Sequence, residues 1–116
     1  MHEIAIMEST LEIAADRARQ ENATAIDVIR LRVGVLSGVV PEALEFAFET
    51  LKIGTLAERG KLEIERVPAM FRCSVCGRET EQDFMKYDCP KCGGMLALRG
   101  GGSDLELAQM EVTQNV

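Results

Sequence analysis

The chain has 116 residues, 47% apolar and 28% charged, enough hydrophobic material for a buried core and too much for disorder. Thirteen Lys and Arg against nineteen Asp and Glu leave a net charge of −6, which argues against nucleic acid or an anionic membrane as the main partner. No apolar run approaches the roughly eighteen residues that span a bilayer, and Met1-His2-Glu3-Ile4 lacks the basic start of an export signal. A soluble, cytoplasmic chain of one domain with at most a small appendage is expected.

In chain order, Ile4, Met7, Leu11, Ala14, Ala15 and Ala18 recur at helical spacing and predict a helix over Glu3–Gln20. Asn22 to Thr24 is a polar break. Ile26 to Leu36 then alternates as a strand, with Val28, Val33 and Val35 marking one face and Arg30 and Arg32 the other. Ser37-Gly38 turns the chain, and Pro41 suits the first turn of a helix, where its missing N–H costs nothing. Leu44, Phe48 and Leu51 give that helix an apolar stripe, Glu42, Glu45 and Glu49 a solvated acidic face, and Gly54 its end. Lys61 to Val67 reads as a second strand, with Leu62 and Ile64 inward and Pro68 closing it. Beyond the cysteines, Met95–Leu98 and Leu105–Val112 read as strands parted by Gly100-Gly101-Gly102, either a hairpin or one strand and a connector. The most economical arrangement is a helix–strand–helix–strand domain interrupted by a cysteine lobe, the last strand returning to the first sheet. Met7, Met70, Met85, Met95 and Met110 are scattered and read as core filling.

The cysteines fall at Cys73, Cys76, Cys89 and Cys92, two C-x2-C pairs with twelve residues between them. Two disulfides belong to secreted proteins, so a metal site is the better reading. Gly77 and Gly93, each following a second cysteine, let the chain turn tightly enough for backbone N–H groups to point at sulfur. Two such knuckles face to face make a tetrahedral four-sulfur site that suits Zn(II); rubredoxin-type iron is the rival, with few aromatics to shield it. The apolar content of the segment, Val75, Phe84, Met85 and Tyr87, is too small to hold a fold without metal. A closed four-thiolate site has no open position, so no catalysis is assigned to it.

The single histidine is His2. On position alone it is a solvated terminal side chain. Its chemistry permits more: a free α-amine, the amide nitrogen of residue 2 and the imidazole can close adjacent chelate rings, with the amide nitrogen of Glu3 or another donor at the fourth corner. A planar nitrogen set is what Ni(II) or Cu(II) prefers and zinc does not. Met1 is expected to be retained, because aminopeptidases favour a small second residue. Glu3 either orients the imidazole or a bound water, or is an acid in the first helical turn, where the macrodipole favours it.

No second histidine, Ser-His-Asp set, phosphate loop or G-x-G-x-x-G is present, so the chain is not read as an enzyme. Met1-His2-Glu3, LRVGVLSGVVPEALEFAFETLKIGT at Leu31–Thr55, LEIERVPA at Leu62–Ala69, the paired knuckles and GGSDLELAQMEV at Gly101–Val112 together resemble the HypA/HybF nickel metallochaperones of NiFe-hydrogenase maturation. The similarity runs nearly end to end. It implies an α+β fold: a nickel-binding domain with two helices and a small sheet, residues 1–69 with 95–116, plus an inserted zinc-ribbon or rubredoxin-like zinc lobe at 70–94. It implies Ni(II) as transient cargo on Met1, His2 and the backbone of Glu3, and structural Zn(II) on Cys73, Cys76, Cys89 and Cys92. Implied partners are the HypB GTPase, the hydrogenase large-subunit precursor and, in some bacteria, urease maturation proteins. Any second nickel site built on another histidine is absent, and Ala5 stands where many members have Ser. A protein-interaction adaptor of zinc-ribbon type, with no nickel role, is the competing reading.

Overall fold

The computed structural model describes residues 2–82 and 87–114, in which eight elements follow one another. Helix α1 spans His2–Gln20, strand β1 Ala23–Gly34, helix α2 Pro41–Leu51 and strand β2 Lys61–Val67. Strands β3 (Ala69–Cys73), β4 (Glu79–Gln82), β5 (Leu96–Gly100) and β6 (Leu105–Gln114) complete the chain.

The apolar stripe of α1 forms as its period requires: Met7, Leu11, Ala14 and Ala18 are buried. Thr10, the one polar group on that face, donates its hydroxyl to the Ile6 carbonyl at 2.8 Å. A turn with Asn22 at φ 56° reverses the chain. The expected break at Asn22–Thr24 is therefore shorter than its polarity suggested, because Ala23 already pairs with Gln114 on β6.

Strand β1 is the centre of a three-stranded sheet in the order β2-β1-β6. It runs parallel to β2, Val28 opposite Lys61 and Gly34 opposite Val67, with α2 as the crossover between them. It runs antiparallel to β6, Ile26 opposite Val112 and Val33 opposite Leu105. The inner face carries Ile26, Ile29, Leu31 and Val33, packed against α1 and Leu44, Ala47 and Phe48 of α2. A register shift between Ile26 and Val28, with Asp27 the extra residue, sets Ile26 on the same face as Ile29, Leu31 and Val33, while the shift between Arg30 and Leu31 leaves the extra residue, Ala108, on β6. Val28, expected on the core face, sits half-buried on the face of Arg30 and Arg32, because the two-residue period of a strand puts positions 28, 30 and 32 on one side. On that outer face Arg30 lies between Glu63 and Glu111 at 2.7 and 2.6 Å, and Arg32 between Glu65 and Glu106 at 3.0 and 3.1 Å.

Pro68 ends β2, yet the chain re-enters a strand at once. Strands β4-β3-β5 form a second antiparallel sheet, β3 central. The hairpin alternative for the last two runs does not hold: Leu96–Gly100 pairs with β3, whereas Leu105–Gln114 returns to β1. The second core is small, Ala69, Phe71, Cys73, Cys89 and Leu96, with Val35 and Leu36 of the first unit packed on it. Val75 and Tyr87 are exposed rather than inside, as is Met95, which corrects the core reading of these three. Phe84 and Met85, also expected in that core, lie outside the described residues. The radius of gyration, 17.9 Å, exceeds the roughly 13 Å of one compact unit of this length, consistent with two sheets along a 58 Å axis.

Candidate metal centre and the amino terminus

Strand β3 ends at Cys73, and the next four residues wrap back on it. The Gly77 N–H donates to the Cys73 carbonyl at 3.0 Å, and the Cys73 N–H to Arg78 O at 2.9 Å. The second knuckle repeats the pattern: Gly93 N–H to Cys89 O at 2.9 Å, and Cys89 N–H to Gly94 O at 2.8 Å. Both turns close only with a left-handed residue, which Gly77 (φ 76°) and Gly93 (φ 77°) supply. The glycine N–H groups thus hold the turns shut, and other amides reach sulfur. Val75 and Cys76 N–H each approach Cys73 Sγ at 3.4 Å, and Gly94 N–H approaches Cys92 Sγ at 3.4 Å.

An isolated antiparallel bridge between Asp88 and Met95 closes the base of the second knuckle, and the Ser74 N–H donates to Met95 O at 3.0 Å, which ties it to the first. Cys73 and Cys89 are buried, Cys76 and Cys92 exposed. The Cys73 and Cys92 sulfurs stand 3.4 Å apart, those of Cys76 and Cys89 3.8 Å, and all four within 4.8 Å of one another. None is bonded to another as a disulfide. Such a cluster could hold a metal ion.

Its electrostatics favour a cation. The N–H groups of Cys76 and Val75 lower the Cys73 thiol to about 6 against the opposing effect of desolvation. Those of Cys92 and Lys91 lower Cys89. For Cys92 the Gly94 N–H favours the thiolate, but the Cys73 sulfur, desolvation and the two remaining sulfurs outweigh it and push the thiol up to about 11. Four sulfurs this close cannot all ionise unless positive charge arrives.

At the other end of the chain, Met1 lies outside the described residues, and of His2 the backbone is described, in the first turn of α1. Glu3 Oε2 accepts the Val40 N–H at 3.2 Å. Val40 is the N-cap of α2 and has no side-chain cap of its own. Glu3 thereby satisfies a donor at the positive end of α2 and ties the start of α1 to it. Sequence reasoning missed Val40; the available signal was Val-Val-Pro at a helix start, which leaves no side-chain oxygen to cap it. The structure brings the four cysteines together and takes Glu3 to α2.

A mixed α+β chain with two small sheets, two helices and a four-cysteine cluster is a metal-binding protein by its site. Residues 1–112 match the family described as hydrogenase/urease nickel incorporation, metallochaperone, hypA. The hydrogenase maturation factor HypA of Picosynechococcus sp. is 45% identical over 112 residues, covering 97% of this chain and 99% of that protein. That of Aquifex aeolicus is 38% identical over 112 residues, covering 97% of each. The solution structure of the Ni metallochaperone HypA from Helicobacter pylori has the same fold, with a TM-score of 0.67 at 19% identity over 97% of this chain and 98% of that one. The chain belongs to the HypA family of nickel-incorporation metallochaperones, which are maturation factors and not enzymes. Among the described residues no helix is long and apolar enough to cross a membrane.

Proposed function

We propose that this chain binds Ni(II) at its N-terminus and delivers it to the large-subunit precursor of a NiFe-hydrogenase, with structural Zn(II) in the cysteine lobe. The observation that carries this reading is the match of residues 1–112 to a nickel-incorporation family in a chain whose only histidine is His2. The cysteine cluster fits zinc: with metal–sulfur bonds of about 2.3 Å, a regular tetrahedron sets sulfurs about 3.8 Å apart, close to the 3.4 and 3.8 Å separations here. Cys73, Cys76, Cys89 and Cys92 would fill that coordination sphere and leave no position for cargo. Nickel then falls to the α-amine of Met1, the amide and imidazole of His2 and the backbone of Glu3. Amide nitrogens in a first helical turn are not consumed by intrahelical bonds, which favours their use as ligands.

Strand pairing supports drawing the lobe at residues 69–100 rather than 70–94, with 1–68 and 101–116 as the nickel-binding unit. A HypB-type GTPase, and in some hosts urease maturation proteins, are the partners this role requires, and the cytoplasm is its place. An optical Ni(II) titration of untagged, zinc-loaded protein tests the assignment against His2→Ala and an N-terminally extended form. One equivalent with the weak d–d band of planar nitrogen ligation, lost in both variants, is expected. Unchanged binding in both would refute the terminal chelate and leave an adaptor without a nickel role.

A further inference from the structure

A groove of about 780 Å³ lies between α1 and the turn that follows α2, away from the cysteine cluster. Its floor is apolar, formed by Leu11, Ala15, Leu51 and Leu56. Leu11 is buried and the other three are half-buried, so the floor is in part open to solvent. Its α1 wall carries Glu8, Glu12 and Asp16, all exposed and four residues apart. At that spacing the carboxylates follow one another about every 6 Å, and like charges so placed weaken a helix. Asp16 is met by Arg19 at 2.8 Å, but among the described residues Glu8 and Glu12 form no ion pair. Arg19, which also lines the groove, neutralises the C-terminal end of the row, so the acidic stretch left beside the apolar trough is Glu8 and Glu12.

We propose that this groove receives a basic amphipathic helix of a partner protein. The occupant's apolar stripe, at i, i+3, i+4 and i+7, would lie on the four-residue floor, and Lys or Arg repeating every fourth position would face Glu8 and Glu12. The wall from Glu8 to Arg19 is three turns, about 16 Å, the length over which two helices pack side by side. A second copy of this chain is a poor occupant, because it would set acid against acid in a chain of charge −6. Assigning that helix to a protein of nickel delivery rests on the proposed carrier role; the docking chemistry does not.

The test is a labelled 18-residue Leu/Lys amphipathic peptide titrated into the full zinc-loaded chain, read by fluorescence anisotropy and by amide chemical shifts. Saturable binding is expected, with shifts centred on Leu11, Ala15, Leu51 and Leu56. Glu8→Lys/Glu12→Lys should weaken it at least tenfold, while Glu79→Lys/Glu81→Lys, with the same change of net charge on the other sheet, should change it less than twofold. If the first pair disturbs the fold by circular dichroism, Glu8→Gln/Glu12→Gln replaces it, with about a threefold loss. Equal weakening by both pairs, shifts elsewhere, no binding, or self-association through this face would overturn the proposal. Nickel titration of Glu8→Lys/Glu12→Lys should match wild type, so a failure of docking and a failure of the nickel chelate are read separately.

Discussion

Gly34→Ala should be among the most damaging single changes in the chain, although Gly34 has an ordinary φ that alanine accepts. Gly34 ends β1 where the two sheets meet. Its N–H donates to Asp104 O at 2.8 Å, and the Leu36 N–H donates to Gly102 O at 2.5 Å. An added Cβ would overlap the Gly102 carbonyl and come within 2.7 Å of the Ser103 nitrogen. Backbone cannot swing aside as a side chain can, so the end of β1 and the connector between β5 and β6 must separate. Breaking both hydrogen bonds costs about 1 kcal/mol each, and the overpacking adds about 1–3 kcal/mol. A total of about 3–5 kcal/mol corresponds, at about 4 °C per kcal/mol for a chain of this size, to a melting point lower by about 12–20 °C. Gly38→Ala is the control: nothing lies within 4 Å of its Cβ, and only the left-handed φ of 80° opposes it, at about 1–2 kcal/mol. Calorimetry of both metal-loaded variants decides the matter. A Gly34→Ala melting point no lower than that of Gly38→Ala would refute a backbone-to-backbone junction.

Phe71 is fully buried in the small second core, and Phe71→Ala should cost about 3–5 kcal/mol and speed release of the lobe's metal to a chelator. Release at the wild-type rate would show that the metal alone organises the lobe. Metal loading at pH 7 should expel protons: Cys92, raised to about 11, still holds one that the ion must displace. Because Cys73 is held near 6, further protons must leave as pH falls through that value, and affinity should drop with it. Calorimetry in buffers of different ionisation enthalpy measures the number, and a count of zero would contradict the cluster's electrostatics. Glu3→Ala removes the acceptor of the Val40 N–H and should cost about 1 kcal/mol, whereas Glu3→Gln, which keeps an acceptor oxygen, should cost less. Equal losses in both would mean that charge rather than the hydrogen bond is what matters there.

What the sequence determined by itself was set by interactions over a few residues. The helical period of Met7, Leu11, Ala14 and Ala18, the proline at the start of α2 and the Leu62–Ile64 alternation all appear as read, because backbone geometry and local burial dictate them. The four ligand-type residues were equally legible, since each C-x2-C-G knuckle closes on its own first cysteine. Tertiary structure decided what depends on partners far along the chain. Whether Leu96–Gly100 joined β3 or β6, and why Ile26 shares the core face with Ile29, follow from pairings across many residues and from a register shift that no single strand reveals. Hydrophobicity alone places Val75, Tyr87 and Met95 in the core, but a lobe held by its knuckles need not bury them. The Glu3–Val40 bond spans 37 positions, and the contact of Gly34 with Gly102 joins two segments that only the return of β6 brings together. Local pattern specifies the elements and the cysteine knuckles, while the contacts that lock helix to helix and sheet to sheet arise only when distant backbone meets.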